Sequence, residues 1–378
     1  MGYNKVSFKN RLIIQESEEA CAQQLITEAE LQAIKQKYPV EFYSPHYIIR
    51  IGMFLLTLLI EVLSIVLFGL VFVENLERDF SIFLQIFSLL SFIILEFYTK
   101  IKNHYRSGVD DALLYSSSLI LFYALVQLLK SSGLVNSFFA VVICTFAVFR
   151  FKDKVMTVLM CCSAAVLLFF LLAEMRFIPI HIIPFIVMLF GYGLYRFVQY
   201  QQYTSTDIFH GCGLTAQVTA LFIFYLSGNY FVVDQANQSL FNVYTMPWFH
   251  WIFWLHTIFI PVIYCFLGIR RKNRQLLIVG LLLIAVAVFS IRHYYHLVPI
   301  EWVLLSIGSV LIMASLLLHR FFRNPAYGIS LAEQSSGSDI HNLESLIIAE
   351  TFPAEIPAQQ NTTFGGGSFG GGGSSGSY

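Results

Sequence analysis

Between Ile48 and Leu318 the chain runs through about ten apolar stretches of roughly 16 to 26 residues, separated by short polar connections. A helix needs ~20 mostly apolar residues to cross a ~30 Å hydrocarbon core. Within that core each backbone amide must find its partner inside the same helix. The repetition therefore predicts an all-α fold, a polytopic membrane helix bundle of about ten transmembrane helices. Composition agrees: 57% of the residues are hydrophobic and 12% charged, with a mean hydropathy of +0.69. An ordinary soluble domain carries about 25% charged residues. The spans read as approximately 48–73, 80–99, 112–129, 134–149, 155–174, 178–195, 208–227, 247–268, 275–291 and 299–318.

Cutting the chain at these spans sorts its 23 Lys and Arg residues into two sets on alternate connections. One set holds 19: six up to Arg50, then Lys100, Lys102 and Arg106, then Arg150, Lys152 and Lys154, then Arg196, then Arg270, Arg271, Lys272 and Arg274, then Arg320 and Arg323. The other holds only Arg78, Lys130, Arg176 and Arg292. Cytoplasmic connections are enriched in Lys and Arg, so the split predicts that both termini are cytoplasmic, N-in and C-in. The short fourth span belongs in this scheme, because deleting it would move the Arg270 to Arg274 cluster outside. Trp248, Trp251 and Trp254 then open the eighth span at its outer end, where interfacial aromatic belts form. The net charge is zero and the basic residues flank spans, so nucleic acid is not an expected partner.

Three segments follow: 1–47, 48–320 and 321–378. The first is polar and mixed in charge, with no signal-peptide pattern, so the first span is expected to direct insertion. Within it Thr27, Glu30, Lys35, Lys37 and Pro39 have the order of a capped short helix, expected to dock on the membrane surface or a neighbouring loop. The 55 residues from Asn324 to Tyr378 contain no Lys or Arg and five acids. Eight of the last fifteen residues are glycine. Such a tail buries too little apolar surface to fold and is expected to be disordered, leaving Phe364, Phe369 and Tyr378 as ring contacts for a protein partner.

The ending FGGGSFGGGGSSGSY resembles the glycine-rich C-termini of bacterial TPM-domain membrane proteins, although no TPM domain is visible in the chain. The pairing of ITEAELQAIKQKYP with YSPHYIIRIGMFLL resembles uncharacterised bacterial multi-pass membrane protein families. Both resemblances imply a bacterial inner membrane, and neither implies a substrate.

Chemistry inside a membrane needs ionisable groups. Glu61 lies near the middle of the first span, where an acid costs ~2.5–3.5 kcal/mol on insertion scales and normally faces a bundle interior or a cavity. It reads either as a proton or cation relay or as a protonated acid bonded to a neighbouring helix. Glu96 and Glu174 lie near span ends, within reach of the interface. His181, His250, His256, His293 and His296 all fall on the outer half, as an outer-face polar cluster. Their spacing is poor for a metal, with only His293 and His296 three apart, so no metal or other cofactor is expected. The six cysteines lack ligand spacing and read as small hydrophobes. Asp110 with Asp111, and Asp207 with His210, precede apolar runs and read as helix-start acids.

Two function classes fit. One is an accessory or interaction protein that recruits partners through its tail. The other is a secondary transporter with an intramembrane acidic site at Glu61. Ten spans divide into halves of five, which would be inverted, and Pro184, Gly191, Gly193 and Pro261 are candidate helix breaks. No catalytic motif supports an enzyme.

Overall fold

A computed structural model describes residues 5–22, 25–72, 78–175, 178–204, 210–241 and 247–294, with isolated positions between 305 and 320. The described residues form twelve α-helices. Two are polar and precede the apolar block: α1 (Lys5–Ala22) and α2 (Glu28–Lys37). Nine are long and apolar enough to cross a membrane. These are α3 (Tyr47–Phe72), α4 (Arg78–Lys100), α5 (Val109–Leu129), α6 (Gly133–Phe151), α7 (Lys154–Glu174), α8 (Ile183–Thr204), α9 (His210–Gly228), α11 (Pro247–Arg270) and α12 (Arg274–Tyr294). The twelfth, α10 (Tyr230–Phe241), has 12 residues and rises only ~18 Å, too little to span a bilayer. The molecule is an all-α polytopic membrane helix bundle. Of the expected last span, Leu305, Gly308, Ser309, Ile312, Met313 and Leu316 are helical and the rest lies outside the described residues.

Short connections build the bundle as antiparallel hairpins: α4 with α5, α6 with α7, α8 with α9, and α11 with α12. Lys130, Lys152 and Lys272 take left-handed backbone conformations that turn the chain within two or three residues of a helix end. Contact of α7 with α9 joins the two halves, and α9 also meets α11 and α12. Half of the apolar window of α9 is buried, against 6% for α3, so α9 is the central helix and α3 the peripheral one. Apolar clusters fill the seams. Leu95, Leu113, Val148, Phe151 and Met156 pack where α4 to α7 meet, Ile183, Val187, Ala216 and Ile223 between α8 and α9, and Tyr225, Tyr264, Val279 and Leu283 between α9, α11 and α12.

Small residues set the closest approaches, as expected where lipid removes the hydrophobic drive between helices. A Cβ on Gly191 of α8 would stand 2.8 Å from the Phe224 backbone nitrogen of α9, and one on Gly280 of α12 would stand 2.8 Å from that of Cys265 in α11. The expected helix breaks are not breaks. Helix α8 runs unbroken through Pro184, Gly191 and Gly193, with the proline in its first turn where a missing amide costs nothing, and α11 continues through Pro261. The interruption falls instead at Asn229, between α9 and α10.

Helix α1 was not legible as a helix in the sequence. It buries Phe8 edge-on against Tyr105 in the connection between α4 and α5, with ring centroids 5.8 Å apart, and places the Arg11 guanidinium 4.7 Å from the centre of the same ring. Burial pushes the Arg11 pKa down from its usual value. Helix α2 has the expected capping box, in which Thr27 Oγ1 accepts from the Glu30 amide and Glu30 accepts from the Thr27 amide at 2.8 Å. It packs on α1, joined by Lys35 and Glu18 at 2.7 Å. The backbone of Tyr43 pairs with Asn103 and Tyr105, so the N-terminal segment is bound to the α4–α5 connection.

Candidate functional site

Three polar constellations stand out against the apolar background. The first lies on the face where most Lys and Arg residues emerge. Asp111 Oδ2 accepts from Arg50 at the start of α3, with Nε at 3.0 Å and Nη2 closer. Asp110 accepts from the Arg106 and Ser107 amides, both at 2.8 Å, and folds the connection back on itself. Both acids lie in the first turn of α5, as expected, and each also binds groups outside that helix. Glu96 takes both arms of Arg150 in α6 at 2.7 Å and also meets Lys100 at 2.9 Å. Tyr115 donates to Asp153 at 3.0 Å, while the other oxygen of Asp153 accepts from the Met156 amide and caps α7. Burial lowers the pKa of His104, whose Nδ1 lies 2.8 Å from Ser107 Oγ, and brings Lys152 down to about 8. These pairs link α3 to α5, α4 to α6 and α5 to α7, stitching the rim of the bundle on this face.

The second constellation is on the opposite face. Asn229, fully buried, accepts from the Phe231 amide at 3.0 Å and the Ser290 hydroxyl at 3.1 Å, and donates to the Tyr225 hydroxyl at 3.1 Å. It caps α10 and ties it to α9 and α12. Thr257 of α11 adds an acceptor for the Tyr230 amide at 2.9 Å. Asp234 accepts from Tyr294 at 2.7 Å and Gln238 at 2.8 Å. Tyr230, Val233, Asp234 and Asn237 are the buried residues of α10, at the spacing of one helix face, so α10 is an amphipathic lid resting on the bundle ends.

The outer histidines divide around this lid. His250 meets the Tyr230 ring at 4.5 Å and His293 meets Phe231 at 4.8 Å, while His256 stacks on Tyr225 deeper in the bundle. His181 is buried in the short 3-10 turn before α8. His296 lies outside the described residues, as do Phe364, Phe369 and Tyr378 of the tail. Among the described residues no three His, Cys, Asp or Glu converge as metal ligands. Trp251 is exposed where an aromatic belt residue would be, whereas Trp254 is buried and stacks on Tyr230 at 4.9 Å. The lid, not the bilayer, accounts for Trp254.

The third constellation surrounds Glu61, ~21 Å along α3 from Tyr47. Glu61 is 6% exposed on a helix whose neighbouring side chains are mostly open to lipid. Ser91 of α4 and Ser116 of α5 are the polar side chains nearest its carboxyl. Neither carboxyl oxygen has a hydrogen-bond partner and both are sealed from the surface. Ser116 directs its own proton to the Ala112 carbonyl at 2.7 Å, which explains why it does not donate to the acid. Glu61 borders a cavity of about 650 Å³ between α3 and α4 that extends along α4 from Phe83 to Tyr98. Here a buried ionisable group, unsatisfied hydrogen-bonding capacity and an open volume coincide.

What sequence reasoning missed was the partner of each charge. Arg50 and Asp111 are 61 residues apart, and Glu96 and Arg150 are 54 apart. The signal available was chemical: opposite charges a turn inside the same-side ends of different spans. Compared with known proteins, the chain matches no family model, no curated protein and no solved structure.

Proposed function

We propose that this protein is a secondary transporter of the bacterial inner membrane, with both termini cytoplasmic, in which Glu61 takes up and gives back a proton or cation during the transport cycle. The observation that carries the reading is the unpartnered, buried carboxyl of Glu61 beside an open cavity. Intramembrane acids are rare and costly, and those facing a bundle interior or cavity are candidates for ion or proton pathways. Attachment of α3 supports it, because this helix is the least buried of the nine and is tied to the bundle at its start through Arg50 and Asp111.

Carbodiimides dissolve in lipid and attack a carboxylic acid but not a carboxylate, leaving a stable acylurea that mass spectrometry can locate. Glu61 is expected to be the intramembrane residue labelled by dicyclohexylcarbodiimide in vesicles, with labelling that falls as pH rises. Glu61→Gln removes the modified peptide and any proton-linked flux while leaving expression unchanged. Labelling that is absent at every pH, in a variant-competent preparation, overturns the reading.

The topology has its own check. Reporter fusions after Arg106, Arg274 and Tyr378 are expected to report the cytoplasm, and fusions near Asn237 the outside, because the 19 to 4 split of basic residues sets orientation. An external signal at Tyr378 refutes it.

The composition of the tail favours a second, accessory reading, in which the same protein recruits a partner through its last residues. Deleting 364–378 is expected to leave insertion and thermal stability unchanged and to remove a cytosolic partner from pull-downs. Changing Phe364, Phe369 and Tyr378 together to Ser should do the same, since rings supply the contact area that glycines cannot. Retention of every partner would reduce the tail to a solvated end.

A further inference from the structure

The cavity beside Glu61 has a lining that restricts what can occupy it. Among the described residues no Lys, Arg, His, Asn, Gln or Trp borders it; apart from Glu61, its polar side chains are Thr57, Ser64, Ser91 and the Tyr98 phenol. Thr57 gives its proton to the Met53 carbonyl at 2.7 Å and Ser64 gives its own to Ile60 at 2.7 Å. What these hydroxyls turn toward the cavity is therefore oxygen lone pairs. At the level of Glu61 the site is rich in acceptors, with the Ser91 hydroxyl beside the carboxyl as a donor, and the carboxyl is the strongest acceptor among them. An occupant that takes the place of the Glu61 proton must bring donors to that level, and a positive charge to balance the carboxylate it leaves.

Shape restricts the occupant further. Phe83 and Tyr98 are fifteen residues apart on α4, so the cavity is ~22 Å long. Ser91, which faces Glu61, lies about midway. Above and below that level the walls are apolar and partly aromatic, including Phe68, Phe87 and Leu113. A hydrated metal cation would leave this length lined by hydrocarbon with nothing to fill it. An acyl chain would fill the length but offer nothing to Glu61.

We propose that the α3–α4 cavity binds an elongated lipophilic ammonium ion, with the Glu61 carboxyl turning out of its buried position to meet the N–H groups beside the neighbouring hydroxyl oxygens and the apolar arms lying along α4. This inference rests on the transporter reading and names the substrate class of the same site. Proton and ammonium then compete for one carboxyl. When the ammonium enters, the carboxylic acid releases its proton to water, and the carboxylate and ammonium remain as a pair of zero net charge. The exchange is balanced and requires no further reactant. Aromatic walls add attraction for the cation.

The test uses tritiated dihexylammonium with the purified full-length protein in detergent. Binding is expected to saturate, to weaken as pH falls, and to be displaced by unlabelled dihexylammonium but not by dihexyl ether, which has the same arms and no charge. Loss of a charge-assisted hydrogen bond makes Glu61→Gln bind about tenfold more weakly or worse. Glu61→Asp, which keeps the charge, is expected to retain binding, and size-exclusion profiles identify any variant that fails to fold. Binding that Glu61→Gln leaves unchanged, or that the ether displaces as well as the amine does, overturns the inference. If Glu61 labels with carbodiimide in a pH-dependent way while dihexylammonium does not bind, the ammonium inference falls and the proton-linked reading stands. If labelling fails at every pH, the reading beneath it falls first.

Discussion

Asn229→Leu destabilises the bundle by about 2 kcal/mol in thermal or denaturant unfolding of the detergent-solubilised protein. Leucine keeps the branched outline of asparagine with larger terminal groups, so no cavity opens; what disappears is the hub. The Phe231 amide loses its partner, and a buried group left unpaired costs about 1–3 kcal/mol, whereas the Tyr225 hydroxyl still donates to the Thr257 carbonyl at 3.2 Å. Ser290 is spared, because it also donates to the Val286 carbonyl at 2.9 Å. Asn229→Ser should cost less than half as much, since a hydroxyl oxygen can still accept from the first amides of α10. Equal stability of Asn229→Leu and the wild type would show that α10 is not held by this network.

Gly108→Ala is the second large effect. Gly108 precedes α5 with φ of 94°, a conformation costly for any residue with a Cβ, and an added Cβ would stand 2.2 Å from the Arg50 carbonyl oxygen and 3.0 Å from the Phe54 amide nitrogen. Both are backbone atoms of α3, so no side-chain rotation relieves the clash. Backbone strain alone costs about 1–3 kcal/mol. The remainder is met by displacing the first turn of α3, which pulls Arg50 off Asp111. The expected result is faster tryptic cleavage within residues 5–37, because the segment bearing α1 and α2 is anchored through the same connection. Unchanged cleavage would mean that the N-terminal segment is held independently of α3.

How far the sequence revealed this architecture differs from one element to the next. The membrane imposes length and apolarity, so spans expected at 48–73 and 155–174 appear as Tyr47–Phe72 and Lys154–Glu174. Helix α10 escaped because it answers to a different constraint. It carries Asp234, Gln235, Asn237 and Gln238 within 12 residues, which reads as a polar loop until the bundle ends beneath it supply partners. Helix α1 escaped because its one deeply buried ring, Phe8, packs on a tyrosine 97 positions away, and no local periodicity records that. Glu61 announces itself as an acid in an apolar run. That its oxygens are orphaned depends on where Ser116 sends its proton, a matter of rotamer rather than of residue type.

The anchoring of α3 to α5 also bears on how the chain is made. Arg50 enters the bilayer early, but its counter-ion arrives 61 residues later. At ~5–20 residues per second of synthesis, that interval is about 3–12 s. Throughout it, Tyr43 lacks the backbone of Asn103 and Tyr105, and Phe8 lacks its ring. The nascent first helix must therefore wait in lipid as a lone anchor with an uncompensated arginine at its entry and an acid at its middle. Its docking is timed by the emergence of the loop from Asn103 to Asp111, so a translational pause just before that loop would lengthen the most vulnerable period of the protein's assembly.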